Sequence, residues 1–230
     1  MKYILTGGLL FSILLTGCSN NEQSAAEAPA GEDSVVVEDN TILSPEIVQV
    51  FGKAGLTDFA RSRVPAFNWN QFSITTTWEE DSALSSSFTP GKDYYTEYGP
   101  YLKYSPDSTR FIDLDSYNVH IRKKGDGQTE IAESGPDTEV SLVNRQTGQK
   151  TRLLFLGPAG SIDDAFWESN DRIVVVGAQE TAPAAGRRLT VWTIDLPAYS
   201  YQLYELPDTA AAKLLTGQWR KERLKKGLNK

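Results

Sequence analysis

Tyr101-Leu102-Lys103-Tyr104-Ser105-Pro106-Asp107-Ser108-Thr109-Arg110-Phe111-Ile112-Asp113-Leu114 reads as strand, tight polar turn, strand, and a similar stretch follows it. In the second stretch Asp164-Ala165-Phe166-Trp167 runs into Glu168-Ser169-Asn170-Asp171, and Arg172-Ile173-Val174-Val175-Val176 comes next. Both turns carry residues suited to type I geometry, so each copy is a hairpin. A further strand pair follows each hairpin. Val140–Asn144 and Thr151–Phe155 flank the turn Arg145-Gln146-Thr147-Gly148, and Leu189–Asp195 and Tyr201–Tyr204 flank a turn at Pro197-Ala198. Two four-stranded antiparallel units, repeating at about sixty residues, are the pattern of propeller blades lengthened by loops.

An aromatic residue, then Ser-Pro-Asp, a small residue, Arg and an apolar strand resembles a blade of TolB-type propellers. The resemblance covers Tyr98–Phe155 well and Ile162–Leu206 more loosely, where Glu-Ser-Asn-Asp stands in for Ser-Pro-Asp-Ser. It implies a fold and carries no catalytic residue over. A closed ring needs at least about four blades of forty residues, and the chain from Thr41 onward holds only two legible ones. The expected fold is therefore all-β: two propeller-blade-like sheets, with residues 67–97 as candidates for a third, and short terminal helices. The ring is not expected to close, which leaves blade faces for helices or a partner to cover.

The flanks agree with this. Ser44-Pro45-Glu46 ahead of Ile47, Val48 and Phe51 predicts a helix, with Gly52 or Gly55 ending it. Phe67–Ile74 and Thr75–Thr77 read as strand, and Thr89-Pro90-Gly91-Lys92 as a turn. Pro207-Asp208 starts a C-terminal helix that Gly217 interrupts. Residues 218–230 carry six basic residues and one acid, Glu222. Such a segment attracts anionic lipid or an acidic partner, but few apolar residues are present to insert. Trp219 and Leu224 are expected to dock on a sheet while the basic residues stay solvated.

The beginning of the chain supplies an address. Met1-Lys2, the apolar run Ile4–Thr16, and Leu15-Thr16-Gly17-Cys18 form a secretory signal too short to serve as a transmembrane helix. The last four residues resemble the lipobox of bacterial lipoproteins. That resemblance implies cleavage after residue 17, acylation of Cys18, and attachment to a membrane through its lipid. Ser19 beside Cys18 resembles lipoproteins sent to the outer membrane, and the lack of a dense acidic run there favours the periplasmic side. Cys18 is the only cysteine, so no intramolecular disulfide can form. Residues 18–40, rich in Ala, Glu, Ser and Asn, read as the acylated cysteine and a flexible tether, with the β domain spanning 41–230.

Composition narrows the function classes. A formal charge of −7 argues against nucleic acid as a partner. Five Trp, ten Tyr and one Met leave aromatic and β-branched residues to fill the core, which favours sheet. His120 is the only histidine, and no Gly-x-Ser-x-Gly elbow accompanies it, so it reads as a spectator beside a strand end. With one His and an acylated Cys, no zinc site of several His or Cys ligands can form within the chain. No cofactor is expected.

Two residue sets are candidates for ligand binding. Asp113 and Asp115 share a strand face with Phe111 and Tyr117, and two carboxylates there suit a hard cation or acid–base work. The alternative is a solvent-facing side of the sheet, its carboxylates paired with Arg122 or Lys123. Tyr94, Tyr95, Tyr98, Tyr101 and Tyr104 lie within eleven residues, and such tyrosines stack on sugars or anchor a protein. In strands about half of them should pack in the core. Gly125-Asp126-Gly127 and Ser161-Ile162-Asp163-Asp164 are acidic loops without the ligand spacing of a calcium repeat. The expected function is a lipid-anchored cell-envelope protein that binds another macromolecule, an envelope protein foremost, without catalysis. A carbohydrate-binding accessory or hydrolase using the Asp/Tyr surface is the alternative.

Overall fold

The computed structural model describes residues 42–228 apart from 82, 124–128 and 181–185. The signal, Cys18, the tether and the Gly125-Asp126-Gly127 loop lie outside the described residues.

The chain opens with two helices, α1 (Pro45–Lys53) and α2 (Leu56–Arg63). Ser44 caps α1 by accepting from the Ile47 N–H, with Pro45 in the first turn. Gly55, at φ 80°, turns the chain into α2 where the sequence suggested an end. Residues 67–72 are not strand. Asn68 accepts from the Asn70 N–H, a local bond that sets a single 3-10 turn over Trp69–Gln71. Phe67, Trp69 and Phe72 all point into the core.

Strand β1 (Ser73–Glu79) and the short β2 (Ser85–Ser87) follow, then α3 (Tyr94–Tyr98). The first blade-like unit is β3 (Lys103–Tyr104), β4 (Arg110–Asp113), β7 (Thr138–Asn144) and β8 (Gln149–Leu156). Between β4 and β7 the hairpin β5 (Val119–Lys123) and β6 (Thr129–Glu133) forms its own two-stranded sheet. The second unit is the meander β9 (Gly160–Trp167), β10 (Arg172–Glu180), β11 (Arg187–Asp195) and β12 (Ser200–Leu206). Helices α4 (Thr209–Leu215) and α5 (Gln218–Leu228) end the described chain, with Gly217 (φ 72°) between them.

Both four-stranded units thus form as the turn chemistry predicts, and each gains a fifth strand. The sheet orders are β1-β12-β11-β10-β9 and β2-β8-β7-β4-β3, all antiparallel, and neither closes on itself. Residues 67–97 therefore make no sheet of their own. They donate one edge strand to each blade, and the small third sheet comes from residues 119–133 instead. The Gly157–Gly160 turn links the units.

Alternation then sorts the strands between layers. Ile173 and Val175 of β10, with Trp192 and Ile194 of β11, face Ile112, Val140, Leu142 and Leu154 of the other sheet in one apolar layer. Val174, Val176 and Ala178 face the opposite way, onto α1, α2, α4 and the Phe67–Phe72 rings. The outer face of the first sheet, through Phe111 and Val143, is covered by α3, β5 and Leu224 of α5. The two equivalent turns also meet: Asn170 accepts from the Asp107 N–H, and Arg110 donates to the Asn170 carbonyl at 2.6 Å.

Candidate functional site

The strand face expected of Asp113 and Asp115 is not solvent-facing, and only Asp113 lies in strand, because β4 ends there and Asp115 falls in the bend that follows. Phe111 and Asp113 do lie opposite Ile112 and Leu114, and α3 and the C-terminal helix close over them, leaving Asp113 4% and Asp115 1% exposed. Buried carboxylates need partners, and both have them. Asp113 accepts the N–H groups of Asp115 and Ser116 on one oxygen, and the hydroxyls of Tyr94 and Ser116 on the other. Asp115 takes a two-pronged bond from Arg223, at 2.6 and 2.9 Å. Burial opposes ionisation of Asp115, but Arg223 outweighs it and holds the carboxyl below the usual range. The same embrace holds the Arg223 charge against its own burial.

That ion pair is the centre of a larger polar cluster, which the sequence did not disclose. Helix α5 runs along β9 and turns Trp219, Arg220 and Arg223 inward. Trp219 Nε1 donates to Asp164 at 2.9 Å, Arg220 to the Asn118 side chain at 3.0 Å, and Arg223 Nε to the Asp163 carbonyl at 3.2 Å. Lys103 reaches Asp164 at 3.0 Å from the other sheet. Trp219 and Leu224 dock as expected, yet two of the supposedly solvated basic residues, Arg220 and Arg223, are buried with them. Ser161-Ile162-Asp163-Asp164 is not a loop either. It lies in β9, where the pairing with β10 skips from Asp164 to Ile162 and leaves Asp163 as the extra residue of a bulge. This cluster fastens layers together. Apart from Asp163 Oδ1, which has no hydrogen-bond partner, its carboxylates are spent on neighbouring donors, and among the described residues no three His, Cys, Asp or Glu gather in a metal-binding group.

The tyrosines divide. Tyr94 to Tyr98 is a helix rather than a strand, so Tyr94 and Tyr98, four apart, share its buried face. Tyr98 donates to the Val119 carbonyl at 2.7 Å, and burial pushes both phenols up. Tyr101 is buried against Gly227, where a Cβ would lie 2.0 Å from its ring. Tyr95 and Tyr104 alone of the five remain open, at 50% and 42% exposure.

These two rings border an open groove of about 600 Å³ with Ser108, Thr109, Arg145 and Gln146. Both rest against the buried Phe111, with centroids 6.4 and 5.7 Å from it. The groove is held from below by turn chemistry. Asp107 accepts from Ser105, the Thr109 N–H and the Thr109 hydroxyl, which places Ser108 at φ 58°. Arg145 donates to the Ser108 carbonyl at 2.7 Å and spreads its guanidinium 5.3 Å from the Tyr104 ring centre. Arg145 has no carboxylate within 4 Å among the described residues, so most of its donors face outward. His120 lies exposed in β5, opposite Ala132. No helix among the described residues is long and apolar enough to cross a membrane.

Compared with protein-family models, with curated proteins and with solved structures, the chain matches none of them.

Proposed function

We propose that this chain is a lipid-anchored protein of the cell envelope, held on acylated Cys18 at the periplasmic side of the outer membrane. It acts as a non-catalytic module that binds another macromolecule. The observation carrying this reading is a contrast between two residue sets. Asp113 and Asp115 have their oxygens committed to internal bonds. Tyr95, Tyr104 and Arg145 instead present aromatic and cationic surface at an open groove. Exposed Tyr and Arg are the residue types that dominate binding surfaces. Crosslinking in intact cells, with a photoreactive residue replacing exposed Gln146 and mass spectrometry of the captured species, tests the proposal. One dominant envelope partner is the expected result, and no reproducible capture from well-expressed protein counts against it. Loss of palmitate labelling in Cys18→Ser tests the anchor.

The mixed lining of the groove favours a second reading, a glycan ligand. Tyr rings stack on the apolar faces of sugars, while Arg145, Gln146 and Thr109 offer hydroxyl-matching donors and acceptors beside them. Titration with soluble envelope glycan fragments separates the readings: a glycan ligand perturbs the Tyr95 and Tyr104 rings without any protein present.

A further inference from the structure

Helix α5 carries Trp219, Arg223 and Lys226 at four- and three-residue spacing, which puts all three on one face. That face borders a cleft of about 350 Å³, closed on its other sides by β9, β3 and Ala54 at the end of α1. Pro100, Leu102 and Phe166 supply apolar wall, and Lys103, Arg223 and Lys226 supply charge. Small-molecule sites have this make-up: a volume of about 300–1,000 Å³, a largely apolar lining and a few convergent polar groups. A cavity near about 150 Å³ holds benzene, so this cleft takes a ring with a short polar-headed chain.

The charges of the lining do not balance. Asp164 is its carboxylate, and the oxygens are taken up by Lys103 at 3.0 Å, Trp219 Nε1 at 2.9 Å and the Ala165 N–H at 2.9 Å. Arg223 is committed to the buried Asp115. Lys226 differs from both other cations. Its ammonium lies 5.1 Å from the Trp219 ring centre, a contact that holds the side chain against the cleft wall. Among the described residues no carboxylate oxygen comes within 4 Å of it, that of Glu222 one turn earlier included.

These charges select the guest. Lys103, Arg223 and Lys226 repel a cation, and a neutral molecule leaves Lys226 unpaired. An acid gains a counter-ion at Lys226 in the field of the other two, while its carbons cover the apolar wall. We propose that the cleft binds a small organic acid, its carboxylate on Lys226 and its apolar body against Pro100, Leu102 and Phe166. A free acid and the C-terminal carboxylate of a peptide share this chemistry. The cleft has no lining residue in common with the Tyr95–Tyr104 groove, so the proposal goes beyond that reading and does not depend on it.

The test is titration of the full, isotope-labelled chain in mild detergent at pH 7.5, followed by amide and indole resonances. Sodium phenylacetate is the probe. Phenylacetamide and phenethylammonium chloride, similar in shape, are the neutral and cationic controls, with sodium chloride for ionic strength. The Gly227 amide and the Trp219 indole should move saturably with phenylacetate, with a Kd near about 1 mM, while resonances of Tyr95 and Tyr104 stay put. Phenylacetamide should bind about tenfold more weakly, and phenethylammonium should not bind. Lys226 is exposed, so Lys226→Gln should fold as the wild type does. It should lose about tenfold in affinity for phenylacetate, and Lys226→Arg should retain it. The same resonances moving with Nα-acetylphenylalanine identify a peptide C-terminus as an acceptable guest, and their movement with phenylacetate alone identifies a free acid. No saturable response to phenylacetate, equal binding of phenylacetamide, or unchanged affinity in Lys226→Gln overturns the proposal.

Discussion

Arg223→Met removes the guanidinium that α5 inserts between the layers while keeping most of the side-chain volume. Arg223 gives two charged bonds to Asp115, at 2.6 and 2.9 Å, and a third to the Asp163 carbonyl. Its side chain is 8% exposed and that of Asp115 1%, so water cannot replace what is lost. Breaking one side of a buried pair costs about 3–5 kcal/mol, because the surviving charge is stranded. For a domain of this size each kcal/mol lowers the melting temperature by about 2–4 °C, so a fall of roughly 6–20 °C is expected. Urea unfolding of the full chain, followed by tryptophan fluorescence, measures it, since Trp219 sits beside the substitution. The pH dependence supplies the sign. In the native chain Asp115 is held below the usual carboxylate range, so its contribution is present above pH of about 4 and lost as acid titrates it. Without Arg223, burial raises Asp115 instead, and the variant should recover relative to wild type as pH falls and Asp115 takes up a proton. Asp115→Leu combined with Arg223→Met removes both charges and should restore most of the loss. A single variant within about 1 kcal/mol of wild type at pH 7, or a double variant no better than the single, would refute the reasoning.

Asp163→Asn should flatten one limb of the stability profile. With its carboxyl pushed up to about 6, the native fold binds that proton more tightly than the unfolded chain, so wild-type stability falls as pH rises from about 4 to 7, by about 2–3 kcal/mol from this group; thermal melts of both proteins across that range should differ by this slope. Gly177→Ala places a Cβ 2.1 Å from the Ser161 carbonyl oxygen, and Gly227→Ala one 2.0 Å from the Tyr101 ring; each should cost about 1–3 kcal/mol in urea melts. Tyr104→Ala and Arg145→Ala should leave the melting temperature within a few degrees of wild type, since both residues are exposed. Each should weaken capture of the groove's ligand about tenfold, equivalent to about 1.4 kcal/mol, in a quantitative pull-down.

The sheets were legible because their turns announce themselves. Ser-Pro-Asp-Ser, Arg-Gln-Thr-Gly and apolar runs such as Ile173-Val174-Val175-Val176 fix eight strands, and those strands pair as read. Of the edge strands, Thr75–Thr77 reads as strand without showing which sheet it joins, and Ser85–Ser87 does not read as strand at all. Ser73–Glu79 and Ser85–Ser87 are largely exposed on both faces, so no alternation marks their side or their sheet. The tyrosine helix hid behind the strand preference of Tyr, although the four-residue spacing of Tyr94 and Tyr98 was available. The polar cluster was hidden for a different reason. Arg220 and Arg223 look solvated in a segment with six basic residues, and only tertiary packing turns them towards Asn118 and Asp115. Alternation in the sequence places Asp113 and Phe111 on one strand face, but it does not show that the chain leaves the strand before Asp115, nor that residues 94–98 and Leu224 cover that face.

Strand β1 pairs with β12, the last strand of the chain, and Thr75 donates to the carbonyl of Leu203 across 128 positions. The helical layer repeats the pattern, since Phe51 and Trp69 share a core with Leu206, Leu215 and Trp219. A chain emerging N-terminus first from the ribosome can pair β3, β4, β7 and β8 as soon as residue 156 is out. It cannot bury α1, α2 or β1 until residues 200–219 have followed. The first fifth of the domain therefore waits, without its packing partners, for the end of its own synthesis, and loops this long close slowly. The Thr75-Thr76-Thr77 run suits that interval: a strand with hydroxyls in place of aliphatic side chains is a poor template for a stray neighbour while β12 is still on its way.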